Sequence, residues 1–223
     1  MSRISEISLE FCRRGGKRLR PRLCKAVYLL EGGEPSSGRI DAVCEAIECF
    51  HKASLIHDDI QDCDEERYGR PTVWKEYDLP IAVAAGDWLV AHGYELIADS
   101  GFRNALEMVK SAVKSHVVLC EGQGDDLMKK PGATDADYVS VCARKTGEAF
   151  ALAAEIGALA AGGEPGPYRR YGLDFGVLFQ LKDDLSDGEA PEVAEGLVER
   201  LEAELSATEV CRKLGEWYRD DES

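Results

Sequence analysis

Two groups of aspartates share one spacing. Asp58, Asp59 and Asp62 end the stretch "LIHDDIQD", and Asp183, Asp184 and Asp187 end "FQLKDDLSD". On a helix, the first and last aspartate of such a DDxxD lie about 40° apart around the axis and about 6 Å along it. Asp58 with Asp62, and Asp183 with Asp187, can therefore each aim at one place. Asp59 and Asp184 sit to the side and read as weaker or outer participants. One such motif is ordinarily a solvated face. Two at identical spacing, each after an apolar run ("ASLI" and "GVLFQL"), call for something cationic. Placed on facing helices they would form a cage of hard oxygen ligands. That donor set suits Mg²⁺, which keeps waters and is shared with substrate phosphates.

A phosphate ligand would also need cations. The stretch "RRGGKRLRPR" (13–22) holds six cations in ten residues, and "RKTGE" (144–148) puts Lys145 and Thr146 among Ala, Leu and Ile. Taken singly, the first is an exposed basic turn and Lys145 is a lysine snorkelling beside Glu148. His51, alone, is a satisfied core histidine, and His57, His92 and His116 are structural. His51 does lie seven residues before Asp58, two turns along the same helix face.

The elements that must position these groups are helical. Apolar residues recur with helical period over 22–31, 39–62, 80–99, 103–130, 135–162, 167–187 and 191–218, and no segment alternates as a strand would. Breaks fall at "EGGEPSSG", "YGRP", "KKPGATDA", "AGGEPGP" and "SDGEAP". Thr134, with Asp137 three residues on, is an expected N-cap. The acidic tail "YRDDES" is expected to fray. The predicted fold is an all-α bundle of mostly antiparallel helices.

Composition narrows the partners. A chain of 223 residues, 44% hydrophobic, can bury one sizeable core and reads as one domain over 1–223. A net charge of −15 excludes a nucleic-acid partner, whose phosphates require a basic surface. The eight cysteines form no CxxC pair and no zinc-type spacing with the four histidines. They read as reduced, small apolar residues of a cytoplasmic protein. The N-terminal "MSRISEISLEFCRRGGKRLRP" lacks the apolar core of a signal peptide, and no run is long enough for a transmembrane segment.

Six pieces in order, "GGKRLRP" (15–21), "HKASLIHDDIQD" (51–62), "GDWLVAHGYELI" (86–97), "GQGDDL" (122–127), "KTGEAF" (145–150) and "FQLKDDLSD" (179–187), resemble the trans-polyprenyl diphosphate synthases, the isoprenyl-chain-elongating enzymes. The resemblance covers roughly residues 13 to 187. It implies an isoprenoid-synthase-type helical bundle around a deep central cavity. It also implies a homodimer, or a heteromer with a related synthase, and Mg²⁺, three ions in the family. The substrates would be isopentenyl diphosphate and an allylic diphosphate.

Carried over by position, the resemblance makes Asp58, Asp62 and Asp183 the main metal ligands, supported by Asp59, Asp184 and Asp187. Lys17, Arg20 and His51 would hold isopentenyl diphosphate. Arg67, Lys145, Thr146 and Gln180 would contact the allylic substrate or its leaving diphosphate. Ala53 and Ser54, both small, would form the cavity floor and imply a product of C20 or longer, with Phe50 as a deeper stop. The chain departs from the family at Tyr68, where a second arginine is usual, and at Trp74, where a histidine is usual. A lysine-rich loop after the second motif is also missing, since no lysine falls between 183 and 212. The resemblance thus reads as a short variant, with the N-terminal and C-terminal parts reduced. The alternative is a non-catalytic or regulatory subunit of a heteromeric synthase.

Overall fold

The computed structural model describes residues 2–128, 134–188, 190–191 and 194–214. Among them nearly every element is a helix, as expected. The chain forms two compact units. One draws on the chain up to Arg22 and on Ser37–Ala105, the other on Leu23–Ser36 and the chain from Leu106 onward.

The first unit contains α1 (Arg3–Cys12), the start of α2 (Leu19–Leu30), α3 (Gly38–Gln61), α4 (Val73–Glu76) and α5 (Leu79–Ala98). Helix α1 was not expected. Its start is capped by Ser2, whose hydroxyl accepts from the Ser5 amide at 3.3 Å, and Ile7 and Phe11 recur on its buried face. They pack into a core with Cys49, Ala53 and Ile56 of α3 and with Ala82, Ala85 and Leu89 of α5. Glycine lets α3 and α5 approach, because a Cβ on Gly93 would lie 2.4 Å from the Phe50 ring. A hairpin, also unexpected, joins β1 (Glu66–Arg67) to β2 (Arg70–Pro71), with Arg67 opposite Arg70. Both turn residues have positive φ, +56° at Tyr68 and +70° at Gly69, as a type I′ turn requires. Two-residue strands carry too few positions for period-2 alternation to register. Arg14, buried, ties this end together by donating to the Pro71 carbonyl at 3.0 Å, to Glu76 at 2.7 Å and to Glu10 at 2.9 Å.

The second unit contains the end of α2, α6 (Ala105–Leu127, from Leu106), α7 (Asp135–Cys142), α8 (Glu148–Ala161), α9 (Pro165–Asp187) and α10 (Ala194–Ser206). Thr134 caps α7 as expected: its hydroxyl accepts from the Asp137 amide at 3.2 Å, and Asp137 accepts in return from the Thr134 amide at 2.8 Å. The helix expected over 135–162 is interrupted by a single π-helical stretch, Ala143–Gly147. Glycines set the packing of α9. A Cβ on Gly172 would lie 2.5 Å from the Phe150 carbonyl oxygen, and one on Gly176 would lie 2.7 Å from Gly147 Cα. A buried acid, Glu148, accepts from Ser115 at 2.5 Å and Arg169 at 2.6 Å, which satisfies its charge inside the unit. The helix expected over 191–218 is interrupted after Ser206 by a turn at 207–208 and is helical again over 209–214, while the tail expected to fray falls outside the described residues, as does most of the break at 129–136. No helix among the described residues is long and apolar enough to cross a membrane.

The glycine contacts give a direct check. Gly172→Ala forces a methyl against backbone that cannot swing away, and should cost about 1–3 kcal/mol in urea unfolding. Gly196→Ala, where a Cβ meets nothing within 4 Å, should be neutral or stabilising by up to about 1 kcal/mol. Equal effects would refute the close-packing account.

Candidate active site

The first aspartate motif occupies the last turn of α3. Carbonyl groups there carry the negative end of the helix dipole, so carboxylates are disfavoured, by about 0.3–1 kcal/mol each. Helix α3 has no basic residue in that turn to offset them. Asp58 is half-buried, and Asp62 is the exposed C-cap. The middle residue goes elsewhere. Asp59 is 1% exposed and accepts from Arg67 Nε at 2.5 Å, while Arg67 Nη2 lies 3.6 Å from Asp64. Burial pushes the Asp59 carboxyl above the usual carboxylate range, against the pull of Arg67. The other carboxylate oxygen, Oδ2, is buried without a hydrogen-bond partner. Arg67, expected on the allylic substrate, is here engaged by the protein's own acids.

The second motif repeats this arrangement at the end of α9, again with no basic residue in the last turn and with Gly188 closing it at φ +74°. Asp183 and Asp187 are exposed. Asp184, the middle residue, accepts from Gln180 Nε2 at 2.7 Å and from the Tyr138 hydroxyl. Gln180 in turn accepts from Thr146 at 2.6 Å. Thr146 and Lys145 lie on the π-helical stretch, a distortion frequent at functional sites. Lys145 pairs with Asp126 of "GQGDDL" at 2.7 Å, not with Glu148, and Arg144 pairs with Asp125 at 2.5 Å. Gly122 makes this possible, since a Cβ there would lie 2.8 Å from the Lys145 amide nitrogen.

The basic stretch after α1 is only partly an exposed turn. Arg14 is buried and Arg18 pairs with Glu45 at 2.8 Å, whereas Lys17 is exposed. Arg20 Nη1 lies 3.4 Å from His51 Nε2. Burial lowers Arg20 to about 10, leaving it cationic at neutral pH. His51 is held well below its ordinary value by burial and by the charges of Arg20, Lys52 and Arg67. A neutral imidazole beside cations is ready to donate one proton-bearing nitrogen to an anion.

The three chain-length candidates point differently. Ala53 is enclosed in the first unit's core, Ser54 is exposed, and Phe50 packs on Tyr94 at a centroid distance of 5.1 Å. Successive helix positions diverge by about 100°, so Ala53 and Ser54 face different surroundings. His57 packs on Gly86, His92 stacks on Trp88 at 4.6 Å, and burial lowers His116 to about 4. A cavity of about 380 Å³ in the second unit is lined by Tyr168, Asp174 and Lys213 and by none of the site residues. Sequence reasoning missed Tyr138, whose only signal was an aromatic within a helix, and Lys52, a lone cation inside "HKASLI".

The donor set fits a hard divalent cation. Asp58, Asp62, Asp183 and Asp187 offer carboxylate oxygens towards two helix C-termini, the donors Mg²⁺ takes. Among the described residues, the one trio of candidate ligand atoms gathered within 4.8 Å is Cys12, Glu45 and Cys49. Cys12 and Cys49 lie in the apolar core, and Glu45 is paired with Arg18. The aspartates form no ready trio. Mg²⁺ needs only one or two carboxylates when substrate phosphates complete its shell.

Residues 1–196 match the family described as polyprenyl synthetase. A short chain isoprenyl diphosphate synthase from Methanothermobacter thermautotrophicus is 38% identical over 182 residues, covering 78% of this chain and 54% of that protein. The chain thus spans little more than half of that relative's length. An isoprenoid synthase family member from Thermotoga neapolitana has a closely similar fold, with a TM-score of 0.85 at 26% identity over 98% of this chain and 91% of that one. A polyprenyl synthase from Caulobacter crescentus, solved with calcium and isoprenyl diphosphate, gives a TM-score of 0.73 at 32% identity, over 81% and 55%.

The depressed His51 has a measurable sign. Its contribution to stability is complete above the unfolded value of about 6.5 and is lost as pH falls below it. Across that range the wild-type chain should lose up to about 1.4 kcal/mol per pH unit more than His51→Gln does. Parallel stability curves between pH 7.5 and 5 would refute the burial of His51 as a neutral ring.

Proposed function

The chain belongs to the polyprenyl synthetase family, and from that premise we propose that it is a Mg²⁺-dependent trans-prenyltransferase. It condenses isopentenyl diphosphate with an allylic diphosphate. The observation that carries this reading is the repeated division of labour in the two motifs. Asp59 is held by Arg67 and Asp184 by Gln180 and Tyr138, while Asp62, Asp183 and Asp187 are exposed towards helix C-termini, where a cation is favourable.

In this reading the allylic C–O bond breaks and its electron pair leaves with the diphosphate. The alkene of isopentenyl diphosphate attacks the resulting carbocation, and the released diphosphate takes the proton. Asp58 with Asp62, and Asp183 with Asp187, would each be able to hold Mg²⁺, which would supply the charge stabilisation that ionisation demands. Lys17, Arg20 and neutral His51 hold the diphosphate of isopentenyl diphosphate. Lys145 takes up charge on the allylic diphosphate, and Thr146 and Gln180 orient Asp184 beside it. Arg67 acts on the site through Asp59.

The small side chains of Ala53 and Ser54 favour a product of C20 or longer. The eight free cysteines favour a reducing, cytoplasmic setting. A homodimer is favoured by α6, where Leu106, Val113 and Val117 form one exposed apolar stripe at helical spacing.

The test is an assay of the purified chain with isopentenyl diphosphate and C5, C10 and C15 allylic primers. Condensation should require Mg²⁺, vanish with chelator, and fall by about 10²-fold or more in Asp58→Ala or Asp183→Ala. Labelled products should extend to C20 or beyond, and accumulation of C15 alone would sink the length assignment. No turnover alone, with activity on adding a related synthase chain, would make the protein a subunit instead. For the assembly, Val113→Glu with Val117→Glu should convert a dimer into a monomer in sedimentation, and an unchanged dimer would place the interface elsewhere.

A further inference from the structure

Lys52 has no part in the chemistry above, yet it is the most completely enclosed cation of the first unit. It is 0% exposed, on α3 beside His51. Its ammonium donates to the carbonyl oxygens of Arg14 and of Gly15, the latter at 3.2 Å. Buried Glu48 lies 4.0 Å away, and the face of Tyr68 covers the ammonium at 4.4 Å from the ring centroid. Burial lowers the Lys52 value and Glu48 opposes that. A charge taken out of water survives only with such partners. Four groups therefore converge on one ammonium: two loop carbonyls, one acid and one aromatic face.

The loop on the far side of those contacts is conformationally demanding. Gly15, Gly16 and Arg18 all have positive φ, at +44°, +90° and +50°. Tyr68 is itself in the left-handed region, which a bulky side chain occupies only when its surroundings hold it there. The contact between the two is close. A Cβ on Gly15 would lie 2.8 Å from the Tyr68 ring, and one on Gly16 would lie 3.3 Å from its hydroxyl and 3.5 Å from Lys52 Nζ. Lys17 lies within this loop and Arg20 at its end, the latter against His51.

We propose that Lys52 and Tyr68 form a latch that positions the loop at 15–20 for anion binding. Lys52 gathers the Arg14 and Gly15 carbonyls inward, and Tyr68 closes over both the ammonium and Gly15. The loop is thereby held open toward solvent at Lys17 and toward His51 at Arg20. Both latch residues act through the loop and touch no substrate, so they are positioning residues. The inference rests on reading Lys17, Arg20 and His51 as a diphosphate subsite.

The probe is inorganic diphosphate without metal, titrated calorimetrically against the full chain. Tyr68→Leu and Lys52→Met should each weaken binding about tenfold, whereas Tyr68→Phe, which keeps the aromatic face, should stay within about twofold. Lys52→Met should also raise the titration midpoint of His51 followed by NMR, because a nearby cation is removed. Should Lys52→Met fail to fold, the half-exposed Tyr68 pair decides alone. Wild-type binding by Tyr68→Leu, or an equal loss in Tyr68→Phe, overturns the latch. Lys17→Ala separates the two claims. Undiminished binding there removes the diphosphate subsite itself, while weakened binding there with wild-type Tyr68→Leu removes only the latch.

Discussion

In the first unit, the ion pair between buried Asp59 and Arg67 links the end of α3 to a hairpin that has almost no core of its own. A carboxylate at 1% exposure demands a partner, and the partner it takes lies on the residue before the hairpin turn. Fixing Arg67 fixes Tyr68, and Tyr68 covers Gly15 and the Lys52 ammonium. The basic loop is thus held through a chain of contacts that begins inside the aspartate motif. The middle aspartate of the motif is a structural anchor.

The chain achieves this while carrying 42 acidic and 27 basic residues. Several of its cations are tied to specific acids: Arg14 to Glu10 and Glu76, Arg18 to Glu45, Lys145 to Asp126, Arg169 to Glu148 and Glu155. The last turns of α3 and α9 carry no basic residue of their own, and Arg67 reaches the first only at Asp59. Exposed acids at two helix C-termini cost stability, because the helix dipole is negative there.

Much of the fold was legible because the long helices bury apolar residues at helical spacing, as in α3, α5 and α9. Thr134 and Asp137 announced the start of α7 by the chemistry of a capping box. Elements of few residues were not legible. The hairpin at 66–71 is specified by an ion pair and two positive φ values, neither of which leaves a periodic trace. The π-helical stretch at 143–147 arises where Gly122, Gly147 and Gly176 allow backbones to approach, a matter of packing rather than of local preference. Helix α1 is amphipathic but short, and its polar surroundings obscured it.

The residue types and spacings by themselves determined the two aspartate motifs, the helical class and the candidates for anion binding, because helix geometry converts spacing directly into direction. They also settled that the middle aspartate of each motif points aside. Tertiary structure decided what meets it there: Arg67 for Asp59, Gln180 and Tyr138 for Asp184. It decided equally that Lys145 pairs with Asp126 instead of Glu148, and that Tyr68, a departure from the resemblance, roofs a buried lysine. Apart from Gln180 with Asp184, one helical turn apart, these pairings join residues from 8 to 46 positions apart. No local periodicity reports them, since they depend on which charges burial forces together.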